Sequence, residues 1–300
     1  SYLPGDDSAL IWQENLSFSQ MPQVANPDSG FVFSANQTPF NVTAAAENPK
    51  ESALAPEHGF QQDMSNRAHR GLELFAALGP MISQEEFSAI KHDKFYSRST
   101  FYVAYLDTIA VQSFTDPSLQ RAQQVLAQWD LGTDVDNTGA ALGTCVFLAA
   151  ERADDRETHD AQAVADLLGG CVETLLASTG RLDPPWGEVN RHVRGDVNVP
   201  VGGGPDILRA IYGRDLNDDG FLTNVAGDGL YYLVAWDAQG QLSVEGVHQF
   251  GSATLDDESP HYNDQALDYA NELLHAPLFD EDALQANLLR AYRPGGELVR

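Results

Sequence analysis

The sequence predicts an α+β fold, with strands toward both ends of the chain flanking a largely helical middle. Three stretches carry that prediction. Phe31-Val32-Phe33 is a short apolar run bracketed by turn residues, Pro27 and Gly30 before it and Pro39 after it. Between residues 65 and 178, apolar side chains recur at helical spacing. Residues 228–236 and 241–250 carry strand-like apolar runs on either side of Asp237-Ala238-Gln239-Gly240, which is a hairpin signal. The expected organisation is a strand and loop segment over 1–64, a helical region over 65–180, and returning strands with C-terminal helices over 181–300. All three form parts of one structural unit.

Three hundred residues suffice for a sizeable core. With 17 basic against 44 acidic side chains, the net charge of −27 argues against nucleic acid or an anionic membrane surface as partner. The acids are scattered, as on a solvated surface. No apolar run approaches the roughly 20 residues of a membrane span. Cys145 and Cys171 both sit in apolar helical patterns. They lack the spacing of a zinc site. They could pair across two packed helices, but buried free thiols are the expectation, because free cysteine is among the most buried residue types.

Taken in order, residues 1–24 are turn-rich, with Trp12, Leu16 and Phe18 as anchors onto neighbouring structure. Phe31 to Phe33 is expected to be a buried strand that stops at Asn36. Residues 40–64 are polar and irregular, consistent with a long surface loop. From Ser65 the pattern is helical, with Leu72, Leu74, Phe75 and Leu78 on one face until Gly79-Pro80. Ser83 to Glu86 reads as a capping box opening a second helix, with Phe87, Ile90 and later Phe95 apolar. Further helices are expected over 99–113, 115–129, 138–152 and 158–178. Asp116-Pro117 marks one start, and 140–150 is apolar enough for a central buried helix. Residues 179–206 read as loop. Their glycine triplet, Gly202 to Gly204, lacks the Gly-Lys-Ser/Thr of a phosphate loop.

Asp215, Asn217 and Asp219 followed by Gly220 resemble the first half of a calcium loop. Position 12 is Ala226 rather than a bidentate Glu, so an acidic hairpin turn is favoured and no metal is expected. The strand pair at 228–250 is apolar on both faces, which predicts a covered sheet. Ser259, His261 and Asp264 lie within six positions of a loop, and such closeness does not make a triad. Helices over 263–275 and 281–292 close the chain.

Asn36 and Arg67 are the candidate site residues. At the close of a strand, a side-chain amide offers two N–H donors from a fixed position, which suits an oxyanion. It equally suits an Asx-type turn in which Asn36 caps its own loop. Arg67, in Ser65-Asn66-Arg67-Ala68-His69-Arg70, has five fixed donors that could hold the Asn36 amide oxygen. It could instead be a solvated helix residue paired with Glu73 or Asp63.

The run Leu3-Pro4-Gly5-Asp6-Asp7, then Met21 to Pro27, then Ser29-Gly30-Phe31 through Asn36 and Pro39, resembles the penicillin acylase family of N-terminal nucleophile hydrolases. A second stretch, Gln249 to Thr254 followed by Ser259 to Gln265, carries the same resemblance. The likeness is greatest to the branch that removes acyl chains from lipopeptides and acyl-homoserine lactones. It implies an αββα fold and assigns this chain to the C-terminal part of the large subunit of an autoproteolytic precursor. The partners are then the small subunit and the N-terminal half of the large one.

The implied reaction is hydrolysis of a linear amide in an N-acylated small molecule, through an acyl-enzyme on an upstream N-terminal serine. Asn36 would be the oxyanion donor and Arg67 its holder, with no cofactor. Ser1 is followed by Tyr-Leu-Pro-Gly-Asp, whereas the family nucleophile is usually followed by Asn and an apolar strand. Ser1 is therefore expected to be a cut site, and residues 1–300 alone to be inactive. His261 would belong to the scaffold. The resemblance further implies a periplasmic or secreted location and roles in antibiotic biosynthesis or quorum quenching. The competing class is a non-catalytic helical and β module that binds a partner, possibly with calcium.

Overall fold

Capping residues set the helix boundaries in the computed structural model, which describes residues 4–11, 14–54, 58–79, 81–153, 160–214, 216, 220–253, 255–288, 291 and 295. Internal contacts divide the chain into two units. One is Ser1–Ser83 with Tyr96–Thr100, and the other is Gln84–Phe95 with Phe101–Arg300. The architecture is α+β.

Among its described residues, the first unit holds four single-turn 3₁₀ segments and one long helix, α1 (Asn66–Ala77). Ser65 caps α1, its side chain accepting from the Ala68 N–H. Ala68, Gly71 and Phe75 form the buried stripe, while Leu72, Leu74 and Leu78 are half-buried. Phe31 to Phe33 is not a strand. One backbone bond, Phe33 N to Val42 O at 2.9 Å, replaces a ladder, and Val32 is exposed. The two rings are instead drawn onto α1, with Phe31 stacked on Phe75 at 4.5 Å and Phe33 tilted against it at 5.5 Å. Aromatic burial against a helix needs no neighbouring strand. Leu16 and Phe18 are not anchors: Phe18 is 81% exposed in a local 3₁₀ turn. Trp12 lies outside the described residues.

The second unit opens with α2 (Gln84–Lys91) and continues through α3 (Tyr102–Val111), α4 (Pro117–Gln128), α5 (Ala140–Ala153) and α6 (Ala161–Thr179). Asp116 and Asp160 cap α4 and α6 through side-chain bonds to the N–H groups two and three residues on. Ile90 is buried on α2, but Phe87 is exposed. α5 is the most enclosed of the long helices, and the Trp129 ring lies against its start. A Cβ at Gly143 would come within 2.2 Å of that ring, so only glycine admits it.

Cys145 and Cys171 form a disulfide between α5 and α6, with their Cα atoms 5.9 Å apart, not the expected free thiols. The two helices bring the pair within bonding geometry, which spacing alone does not reveal. Closing a loop with a sequence separation of 26 is worth about 3–4 kcal/mol through the unfolded chain.

Residues 179–206 are not loop. They contain a short helix, α7 (Trp186–Val189), and an antiparallel pair, β1 (Asn190–Arg194) with β2 (Val197–Pro200), turning at Gly195 with φ +60°. The inward positions of β1 are polar, Asn190 and His192, so the apolar alternation that marks a strand is missing. Hydrogen bonds hold both: Asn190 Nδ2 donates to Val201 O, and His192 Nε2 donates to Gln249 O at 2.6 Å. The glycine triplet crosses close to the Arg209 backbone. A Cβ at Gly203, where φ is +102°, would meet the Arg209 carbonyl at 2.5 Å.

Two more strands, β3 (Ile211–Gly213) and β4 (Leu222–Gly227), complete a sheet of order β2-β1-β4-β3, in which β1 and β4 are parallel. Asp215, Asn217 and Asp219, the calcium candidates, lie outside the described residues. The expected hairpin is present as β5 (Leu230–Trp236) and β6 (Leu242–His248), registered Leu230 to His248 through Trp236 to Leu242. It is not covered on both faces. Tyr231, Leu233 and Val247 are buried, whereas Leu230, Tyr232, Val234 and Trp236 face outward, Trp236 at 67%. As a two-stranded sheet, the hairpin buries only the face toward the core containing Tyr269 and Val201. The last helices are shorter than expected. α8 (Ala266–Ala270) stops before Glu272, whose φ is +60°, and α9 (Glu281–Ala286) ends at Asn287.

A buried charge cluster ties α2, the loop before β3, the start of β5 and α8 together. Arg209 is fully buried. Its Nη1 lies 3.2 Å from Asp228, its Nε 3.5 Å from Glu272, and its Nη2 donates to the Tyr269 carbonyl at 2.7 Å. The Tyr269 ring lies 4.3 Å from the guanidinium. Burial alone would lower the Arg209 pKa, but the Tyr269 and Tyr231 phenols and both carboxylates outweigh it, so it is raised and the charge persists. Lys91 reaches the same Asp228 at 2.6 Å, and Lys94 reaches Glu272 at 3.0 Å.

His192 makes stability depend on pH. It is fully buried, and burial holds its pKa down to about 4; the Arg209 charge adds to the depression, and the Gln249 carbonyl opposes it. Asn224 Nδ2 lies 3.1 Å from Nδ1, an arrangement that fits the neutral ring with its proton on Nε2. The unfolded chain therefore binds a proton that the folded chain refuses. This stabilisation is complete above about pH 6.5 and is lost as the pH falls toward 4, a loss of a few kcal/mol. Urea midpoints between pH 7 and 4.5 should fall more steeply for the wild type than for His192→Gln. Equal slopes would remove His192 from the account.

Candidate active site

The candidate site lies in the first unit, where the segment after Phe33 meets the first turn of α1. Three local features fix its backbone. Asn36 adopts the left-handed conformation, φ +59°, which asparagine tolerates better than most residues. Buried Gln37 staples the bend, donating from Nε2 to the Phe33 and Asn41 carbonyls at 3.4 and 3.0 Å and accepting from the Ala35 N–H. Thr38 N donates to Asp63 O at 2.9 Å.

α1 supplies the second half. Arg67 Nη2 donates to Asn36 Oδ1 at 2.6 Å, and its Nε donates to the Ala35 carbonyl at 3.1 Å. Ser65 Oγ, the helix cap, donates to that same carbonyl at 3.2 Å. One guanidinium thus grips a side-chain oxygen and a backbone oxygen of adjacent residues. A guanidinium only donates, so the amide oxygen must face it and the NH₂ must face away. The amide is exposed, and its Nδ2 has no hydrogen-bond partner among the described residues. The result is a pair of N–H donors held in place and open to an incoming oxygen.

Position is thereby fixed by hydrogen bonds rather than by the end of a strand. Asn36 does not cap its own loop, because its oxygen is committed to Arg67. Sequence reasoning brought Asn36 and Arg67 forward and missed Gln37, Ser65 and the Ala35 carbonyl. Ser65, a preferred N-cap residue just before the helical pattern, was visible in the sequence; Gln37 and the Ala35 carbonyl had no such signal. His261 belongs to the second unit and is largely exposed, with Nδ1 2.8 Å from Asp264 Oδ2.

The aromatic clasp on α1 gives a test of the positioning. A Cβ at Gly71 would come within 2.8 Å of Phe33 Cε2. Gly71→Ala should raise intrinsic helix stability by about 1 kcal/mol yet displace the ring that carries the Asn36 bend. The expected result is full helical circular dichroism with kcat reduced about tenfold. Unchanged kcat would show that the bend does not depend on Phe33.

Two comparisons relate the chain to known proteins. A family model described as penicillin amidase matches residues 1–286. Among solved structures, the chain is similar to the thermostable penicillin G acylase from Alcaligenes faecalis, at 14% sequence identity and a TM-score of 0.47. That match covers 93% of this chain and 59% of that one, so the chain spans less than two thirds of the length of the structure it matches.

Proposed function

We propose that this chain, which belongs to the penicillin amidase family, supplies the oxyanion-holding part of an amidohydrolase acting on linear amides of N-acylated small molecules. The observation that carries this reading is the Asn36 amide, oxygen bound to Arg67 and NH₂ left open. In the reaction, a serine Oγ attacks the amide carbonyl carbon. Its proton passes to the serine's own α-amine and from there to the leaving nitrogen as the C–N bond breaks. Asn36 Nδ2 donates to the carbonyl oxygen as it becomes an oxyanion, and Arg67 keeps the amide from turning. Water then hydrolyses the acyl-serine, releasing a carboxylic acid.

On this reading the attacking serine lies outside residues 1–300, on an N-terminal nucleophile αββα core that this chain helps complete. Acyl-homoserine lactones, lipopeptides and β-lactams with an acyl side chain are the substrate classes. The Cys145–Cys171 disulfide supports an oxidising location, periplasmic or secreted. The function is tested by incubating the mature enzyme with one amide of each class and quantifying the free amine released. Release from at least one class that collapses in Asn36→Ala supports the reading. Absence of release from all three, or release indifferent to Asn36, contradicts it.

A further inference from the structure

Gln37, the residue after Asn36, is 8% exposed and commits both ends of its carboxamide to the backbone around the site. Oε1 accepts from the Ala35 N–H, while Nε2 donates to the Phe33 carbonyl at 3.4 Å and the Asn41 carbonyl at 3.0 Å. The partners dictate which end is oxygen, since an N–H needs an acceptor and two carbonyls need donors. Those carbonyls cannot bond to each other, so the backbone alone cannot close the turn between them. A carboxamide of this reach supplies two donors and an acceptor at once. Asparagine is one methylene too short, and glutamate lacks the donors.

The consequence falls on Asn36. Its neighbour Ala35 is held on both sides: the N–H by Gln37, and the carbonyl by Arg67 Nε at 3.1 Å and Ser65 Oγ at 3.2 Å. Both peptide planes that flank Ala35 are thereby pinned, which sets the direction in which the Asn36 side chain leaves the chain. Asn36 has φ +59°, a sparsely populated region that persists only where surrounding contacts enforce it. Gln37 also joins the two points at which this segment meets α1. One is Phe33, whose ring tilts against Phe75 at 5.5 Å, and the other is Asn36, bound by Arg67.

We propose that Gln37 is a positioning residue for the amide hydrolysis, acting through Asn36 by fixing the backbone that aims its NH₂ at the developing oxyanion. This role rests on the amidohydrolase reading.

The test is steady-state hydrolysis by the mature enzyme carrying Gln37→Met, which keeps length and burial and removes all three hydrogen bonds. The expected result is kcat lowered about tenfold with KM within about twofold of wild type. In an Asn36→Ala background the same substitution should cause no further loss, because nothing is left to aim. A merely structural role would reduce activity by the same factor in both backgrounds. If Gln37→Met fails to fold, Gln37→Glu decides. Burial against two carbonyls favours protonation of the introduced carboxyl, and the proton restores one donor. Arg67, bonded to the same Ala35, stays charged throughout. The kcat of Gln37→Glu relative to wild type should therefore rise about threefold or more from pH 8 to pH 6. Unchanged kcat in Gln37→Met, equal losses in the two backgrounds, or a flat ratio in Gln37→Glu overturns the proposal while leaving the role of Asn36 standing. Turnover indifferent to Asn36→Ala overturns both.

Discussion

Asn36→Ala in the mature enzyme is expected to lower kcat by about 10²–10³, a loss of roughly 3–4 kcal/mol of transition-state stabilisation, with KM little changed. The asymmetry follows from the geometry. The NH₂ of Asn36 is exposed and has no hydrogen-bond partner among the described residues, so little is lost from folding when it is removed. A ground-state amide carbonyl gains little from the donor, whereas an oxyanion gains a charge-assisted hydrogen bond. The Arg67 guanidinium keeps its bond to the Ala35 carbonyl when Asn36 is shortened, so the bend should survive. Thermal midpoint and substrate affinity should therefore stay near wild type while turnover collapses. A fall in KM and kcat together, or an unfolded variant, would mean that Asn36 is structural.

Arg209→Ala should destabilise the protein by about 3–5 kcal/mol. The side chain is fully buried. Among the described residues, its removal leaves only Lys91 with Asp228 and only Lys94 with Glu272, and takes one donor from the Tyr269 carbonyl, which keeps the Glu272 N–H at 3.3 Å. The stacking on the Tyr269 ring is lost as well. Much of the cost is the penalty for buried acceptors left short of a donor, not the worth of the pair itself. A lower urea midpoint with an unchanged m-value is the expected signature. A shift worth less than about 1 kcal/mol would show that the cluster relaxes and takes up water.

The sequence disclosed the elements whose burial is apolar and periodic. α3 to α6 sit within a few residues of their expected bounds because caps such as Asp116 and the apolar stripes of Val125, Leu126 and Leu168 act locally. The β5–β6 hairpin was visible for the same reason. β1 was hidden because its inward residues are Asn190 and His192, whose burial is justified only by partners at Val201, Asn224 and Gln249. Phe31 to Phe33 misled in the opposite sense, because an apolar triplet fits a strand and an aromatic clasp equally well. The disulfide depended on how α5 packs on α6, which neither cysteine's neighbours reveal.

At the site, the residue types of Asn36 and Arg67 were legible and the resemblance implied that one holds the other, while the hydrogen-bond geometry across 31 positions came with the fold. Gln37 escaped notice because a buried glutamine stapling three backbone groups looks, in sequence, like any polar loop residue.

The account turns on Arg67 acting through Asn36, and a double-mutant cycle on kcat/KM measures that coupling directly. If Arg67 serves only to orient the amide, Arg67→Ala should reduce kcat/KM strongly in the wild-type background and hardly at all once Asn36 is alanine. Equal, additive losses in the two backgrounds would contradict it and separate the guanidinium from the oxyanion site.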